Sequence, residues 1–114
     1  MAEHIEWLGS VFGGMDVLEP NDVVDYFDCI RDAFQIHVEK ERLRNGHWKE
    51  YPTEDQNNCI KLKSDRVTRT LERLNAEGHM GPIMEMDLRA NATEELHDII
   101  NYAVFALRIL NGKV

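Results

Sequence analysis

The chain has 114 residues, 43% of them hydrophobic and 30% charged, and a formal net charge of −8; this is the composition of one folded domain, residues 1–114, and not of a disordered chain. No apolar run approaches the roughly 18–20 residues that a membrane helix needs, so no membrane partner is expected. Residues 1–39 hold nine acids against one base, Arg31, and so carry the whole −8, which argues against a nucleic-acid groove and leaves a cation-binding face or an acidic surface that mimics a polyanion.

Residues Met1 to Ser10 lack the basic start and apolar stretch of a signal peptide, so a cytoplasmic location is expected. Gly13-Gly14 closes a short amphipathic opening segment within residues 1–20, and the helical core is expected over 21–110. Pro20-Asn21-Asp22 opens a long periodic stretch that runs to about Arg44, and Asn45-Gly46 is a helix stop. Its apolar stripe is Val23, Phe27, Ile30, Phe34 and Val38. Asp25, Asp28, Asp32 and Glu39 form an acidic row with Gln35 in step, either a solvated face or a set of metal ligands. His47 to Pro52 is a loop, where Trp48 and Tyr51 serve local packing or stack on a base.

Thr53 begins a capping box with Gln56 three residues on, and the helix it starts is expected to reach about Glu77, with Gly78 ending it. Along it, Lys61, Lys63, Arg66, Arg69 and Arg73 fall within four turns. They are a solvated face with i,i+4 pairs, or a clamp whose arginine forks suit phosphate oxygens. His79 to Ala92, containing Gly81-Pro82, is expected to be a loop long enough for a lid, with Met80, Met84 and Met86 as an adaptable apolar surface. Thr93 is expected to cap a last helix, Glu94 to about Leu110, that buries Leu96, Ile100, Val104 and Leu107 beside Ile99, Ala103 and Leu110.

No segment alternates with period 2, so the expected fold is all-α: a bundle of three long helices plus a short N-terminal one. Three helices leave a bundle one short, so completion by homo-dimerisation or tetramerisation is expected. Cys29 and Cys59 lie in separate helices without a CxxC pair and read as reduced thiols.

The last helix carries Glu94-Glu95-Leu96-His97-Asp98, in which Asp98 shares a face with both glutamates, followed one turn later by Asn101-Tyr102. Acids in a first turn serve capping and the helix dipole; they are also hard oxygen donors for Mg²⁺. An Asn in an otherwise apolar helix needs a partner. His97 reads as an ordinary surface or core-edge histidine.

The run Glu94-Glu95-Leu96-His97-Asp98 resembles the second half of the MazG-type motif. Asp98-Ile99-Ile100-Asn101-Tyr102-Ala103 resembles the Asp-x-x-Asn-Tyr-Ala helix of the nucleotide-modification-associated MazG-like proteins of phages and bacteria, and Ser64-Asp65-Arg66-Val67-Thr68-Arg69 resembles their middle helix. The likeness spans residues 23–110, with its specific part in 60–73 and 94–107. It implies an all-α fold, Mg²⁺ (or Mn²⁺), and hydrolysis of a nucleoside or deoxynucleoside triphosphate to monophosphate and pyrophosphate, in host cytoplasm if phage-encoded. By the same resemblance Glu94, Glu95 and Asp98 are metal ligands, with Asp65 a substitute from the middle helix. Arg66 and Arg69 meet phosphates, and Asn101 and Tyr102 lie near the nucleotide or support the metal face, with Lys63 counted among the ligand-binding residues. The family's first acidic motif is absent in its usual form, its nearest substitutes being Asp65 with Glu72 or the Asp25–Asp28–Asp32 row. A nucleotide-binding protein without turnover is the alternative this leaves, beside an acidic interaction protein.

Overall fold

The computed structural model describes residues 18–44, 46, 49, 52–76 and 80–113. The expected opening segment, Trp48 and Tyr51 lie outside the described residues. Those described form three helices and no strand: α1 (Pro20–Arg44), α2 (Thr53–Asn75) and α3 (Pro82–Leu110). The chain divides into two compact units, Met1–Arg31 and Asp32–Val114, with α1 running through the division. In the first unit Val23 is buried, Tyr26 and Phe27 meet edge to face, and Arg31 pairs with Asp28 at 3.2 Å.

Each helix starts and stops where local chemistry directs it. Pro20 and Pro82 open α1 and α3, where the missing N–H would have had no intrahelical partner. Acids in the first turn and arginines in the last complement the dipole in all three: Asp22 with Arg42 and Arg44, Glu54 and Asp55 with Arg73, Glu85 with Arg108. Beyond α1, Gly46 takes a left-handed φ of 80° that favours glycine. The capping box expected at Thr53 does not form: Pro52 occupies the cap position and makes no side-chain bond, and Gln56 is buried instead of reaching back.

The expected lid is absent, because residues 82–92 are the first three turns of α3. Its Met, Glu, Leu, Arg and Ala residues are good helix formers, and Leu88 and Ala92 are buried on one side. Thr93 is therefore mid-helix and not a cap; its hydroxyl donates to the Arg89 carbonyl at 2.8 Å. Glu94, Glu95 and Asp98 consequently lie well inside α3, and the dipole of a helix start does not account for them.

In the second unit α2 packs along α3. Lys63, about three turns before the end of α2, meets Glu95 and Asp98, a similar distance into α3. The pair is thus an antiparallel hairpin closed by a short connection. Ala33, fully buried, lets α1 approach α3: the Asn101 amide donates to its carbonyl at 2.8 Å, and His37 lies 4.9 Å from the Phe105 ring.

The inward seam of α3 reads Leu88, Ala92, Glu95, Asp98, Tyr102, Phe105. The stripe expected to be buried faces the other way. Leu96, Val104, Leu107 and Leu110 are exposed, Leu107 at 57%, and Ile99, Ile100 and Ala103 are partly covered. On α1, Phe34 is likewise 60% exposed and Ile30 40%. The reason is local: carboxylates in the middle of the inward seam, offset there by lysines, displace the apolar arc to the opposite side.

Candidate functional site

Three helices contribute to one ion cluster. Asp98 of α3 is 6% exposed. Its Oδ1 accepts from Lys40 Nζ of α1 at 2.8 Å, and its Oδ2 accepts from Lys63 Nζ of α2 at 2.9 Å. Glu95, one turn back, stands 3.0 Å from the same Lys63 Nζ and 3.6 Å from Arg66 Nη1. Both carboxylates therefore converge on a single ammonium. Three cations face two carboxylates, leaving the cluster one positive charge in excess.

Burial alone would push the Asp98 carboxyl up, but the hydrogen bonds from Lys40 and Lys63 outweigh it and hold Asp98 below the usual carboxylate range. Burial likewise works against the Lys63 ammonium, and the bonds to Asp98 and Glu95 more than offset it, so Lys63 stays charged to higher pH than a free lysine.

Asp98 and Lys40 also line a cleft of about 610 Å³ within the second unit. His37, Tyr102 and Phe105 supply ring faces, and Tyr102 meets Phe105 edge to face at 6.1 Å. Arg44 adds a second cation, and Glu41 and Asp55 add acceptors; Gln56, Asn58 and Asn101 add amides. Burial keeps His37 neutral to lower pH than usual, with Lys40 acting in the same sense and Glu41 opposing. Burial, chiefly, raises the Tyr102 phenol, which is a neutral donor at pH 7. Few convergent polar groups around ring faces are the ordinary furniture of a small-molecule site.

Of the residues singled out in the sequence, the structure gathers Glu95, Asp98, Lys63 and Arg66 in the cluster, with Asn101 and Tyr102 at the adjoining cleft. Glu94, Asp65 and Arg69 are exposed and join none of these pairs. Among the described residues, no three His, Cys, Asp or Glu side chains gather as a metal-binding group. Sequence reasoning missed Lys40, His37 and Arg44. Their signal was a stripe, Ala33-His37-Lys40-Arg44 at spacings of 4, 3 and 4, standing out on an acidic helix.

Mg²⁺ is held by one or two carboxylates together with substrate phosphates. Here both Asp98 oxygens already hold ammonium groups, and Lys63 Nζ stands where a cation shared by Glu95 and Asp98 would stand. A metal shared by Glu95 and Asp98 would have to displace Lys63 from that position. No protein-family model, curated protein or solved structure matches the chain.

Proposed function

We propose that the cleft binds a nucleoside triphosphate and that the protein, as arranged here, is a nucleotide-binding domain without turnover. The observation that carries this is the pair of cations, Lys40 and Arg44, on the α1 side of a cleft lined by rings and amides. Phosphate oxygens match Lys40 and Arg44, cations that donate hydrogen bonds and accept none. Tyr102, Phe105 and His37 offer faces to a planar base, and the resemblance of the Asp98–Ala103 segment points to the same ligand class.

A second reading is Mg²⁺-dependent release of pyrophosphate. The convergence of Glu95 and Asp98 on one point, within 3.0 Å of Lys63 Nζ, favours it. It requires Lys63 to give way to the metal. The wide exposed stripe Leu96, Val104, Leu107 and Leu110 supports the self-association expected of a three-helix chain.

The deciding experiment incubates the full chain with ATP, GTP, CTP, UTP and their deoxy forms, with and without Mg²⁺ or Mn²⁺. Melting temperature and pyrophosphate are both read. Stabilisation without pyrophosphate is the expected result. Pyrophosphate release that disappears in Asp98→Asn moves the assignment to the second reading. No stabilisation by any nucleotide overturns the proposal.

A further inference from the structure

We infer that Asn101 makes the cleft selective for nucleobases that present an amino group, cytosine and adenine, over those that present a carbonyl there, uracil and hypoxanthine. This rests on the nucleotide reading of the cleft and specifies its ligand.

A carboxamide is ordinarily ambivalent, because turning its plane over exchanges donor for acceptor. Asn101 has lost that freedom. The atom 2.8 Å from the Ala33 carbonyl oxygen must be its nitrogen, since a carbonyl only accepts. Turning the amide over would set oxygen against oxygen and leave both without a hydrogen. The hydrogen bond is part-buried, so water replaces it poorly. Oδ1 is therefore held as an acceptor in a residue that lines the cleft, and no hydrogen bond to it is formed among the described residues.

Glu41 and Asp55, also lining the cleft, add acceptors when ionised, beside the Tyr102 hydroxyl and the amides of Gln56 and Asn58, which can donate. The cations of the cleft, Lys40 and Arg44, are on α1, and Lys40 is engaged with Asp98. A ligand that satisfies both sets brings phosphate oxygens to the cations and N–H groups to the acceptors. The exocyclic amine of cytosine or adenine supplies two such N–H groups. A carbonyl at the same position would oppose its lone pairs to Oδ1, and the amide cannot turn to accommodate it. Sites built to hydrogen-bond one group reject the analogue that lacks it far more strongly than apolar pockets reject a size change.

Matched pairs test this with the wild-type chain, so that folding of a variant is not at issue. CTP and UTP differ at the 4-position of one ring, and ATP and ITP at the 6-position of another. Dissociation constants for all four are measured by calorimetry on the full chain, without divalent metal and then with Mg²⁺. CTP over UTP and ATP over ITP by about tenfold is the expected result, from one hydrogen bond gained against one lone-pair opposition at a part-buried amide. Asn101→Ala should reduce both ratios to within about threefold; a residue that served only to join α3 to α1 would lower all four affinities alike and leave the ratios unchanged. Equal binding within both pairs, or a preference for the carbonyl bases, overturns the role of Asn101 and leaves the nucleotide reading standing. Failure of all four to bind overturns both.

Discussion

Replacing Lys63 by Met should destabilise the protein more than replacing Lys40 by Met, although each removes one ammonium from the same carboxylate. Met keeps most of the aliphatic stem, so the loss is chiefly of charge. Removing the only partner of a buried ion costs about 3–5 kcal/mol. Asp98 in Lys63→Met retains Lys40 at 2.8 Å, while Glu95 keeps only Arg66 at 3.6 Å. We expect a loss of about 2–3 kcal/mol, between the value for one charged hydrogen bond and that for an orphaned ion. The Lys40 side chain is 41% exposed against 18% for Lys63. Water and salt screen Lys40 more, and its removal should cost about 1 kcal/mol. Each kcal/mol moves the melting temperature of a domain this size by about 3–5 °C. Thermal melts followed by far-ultraviolet circular dichroism should separate the two variants clearly. Raising NaCl from about 50 to 500 mM should shrink the Lys40 effect more than the Lys63 effect. Equal losses, a reversed order, or two variants as stable as the parent would refute the cluster as described.

The depressed Asp98 carboxyl also sets a pH dependence. Its folded value lies below the unfolded one, so its contribution is complete above the unfolded value of about 3.9 and is lost as pH falls through the folded value. The gap in urea midpoint between the parent and Asp98→Asn should be constant from about pH 8 to 5 and close below about pH 4; a gap that closes near neutrality would contradict the assignment. Thr93→Ala should be neutral or stabilising by up to about 0.7 kcal/mol in urea unfolding, since Ala is the better mid-helix residue. A loss of about 1 kcal/mol would instead mark Thr93 as a helix cap. Leu107→Lys should leave the chemical stability within about 0.5 kcal/mol, as expected of an exposed position, while lowering the sedimentation mass if the outer face of α3 holds two copies together. Gly46→Ala should cost about 1 kcal/mol in the same unfolding assay, because Ala at a φ of 80° is strained.

How far the fold was legible depended on which signal each segment carried. α1 was readable at both ends because Pro20 and Gly46 act through backbone geometry, which does not depend on neighbours. α3 was misread at its start because Gly81-Pro82 fits a loop as well as a helix opening, and Thr93 before two glutamates imitates a cap. Only burial of Leu88 and Ala92 decides between them, and burial is a tertiary fact. The helix faces were harder still. Periodicity found the apolar arc of α3 correctly and placed it on the wrong side, because the rule that apolar residues face inward assumes that nothing polar is neutralised inside. Glu95, Asp98, Lys63 and Arg66 stood out in the sequence by their charge and spacing, and they lie in one ion cluster. Their mutual pairing was not legible, since the distance between Lys63 and Asp98 belongs to the hairpin and not to either helix. Lys40 was invisible for the same reason, its partner being 58 positions away.

The energetic logic of the second unit runs against stability alone. Among the described residues its buried apolar side chains are Ala33, Val67, Leu88, Ala92 and Phe105. A chain of this size gains most from a dry seam, and apolar replacement of a buried ion cluster is often neutral or stabilising. Here the seam between α2 and α3 instead carries two carboxylates and their lysine and arginine partners, while leucines on the same helix lie exposed. Folding by itself gives no reason for this inversion. The function proposed above supplies one, with different demands on opposite sides of α3: a charged wall beside the cleft, where Asp98 holds Lys40, and an apolar outer face for self-association. Asn101 belongs to the first demand, since its tie to the Ala33 carbonyl fixes α1 against α3 and orients an acceptor at the cleft with the same side chain.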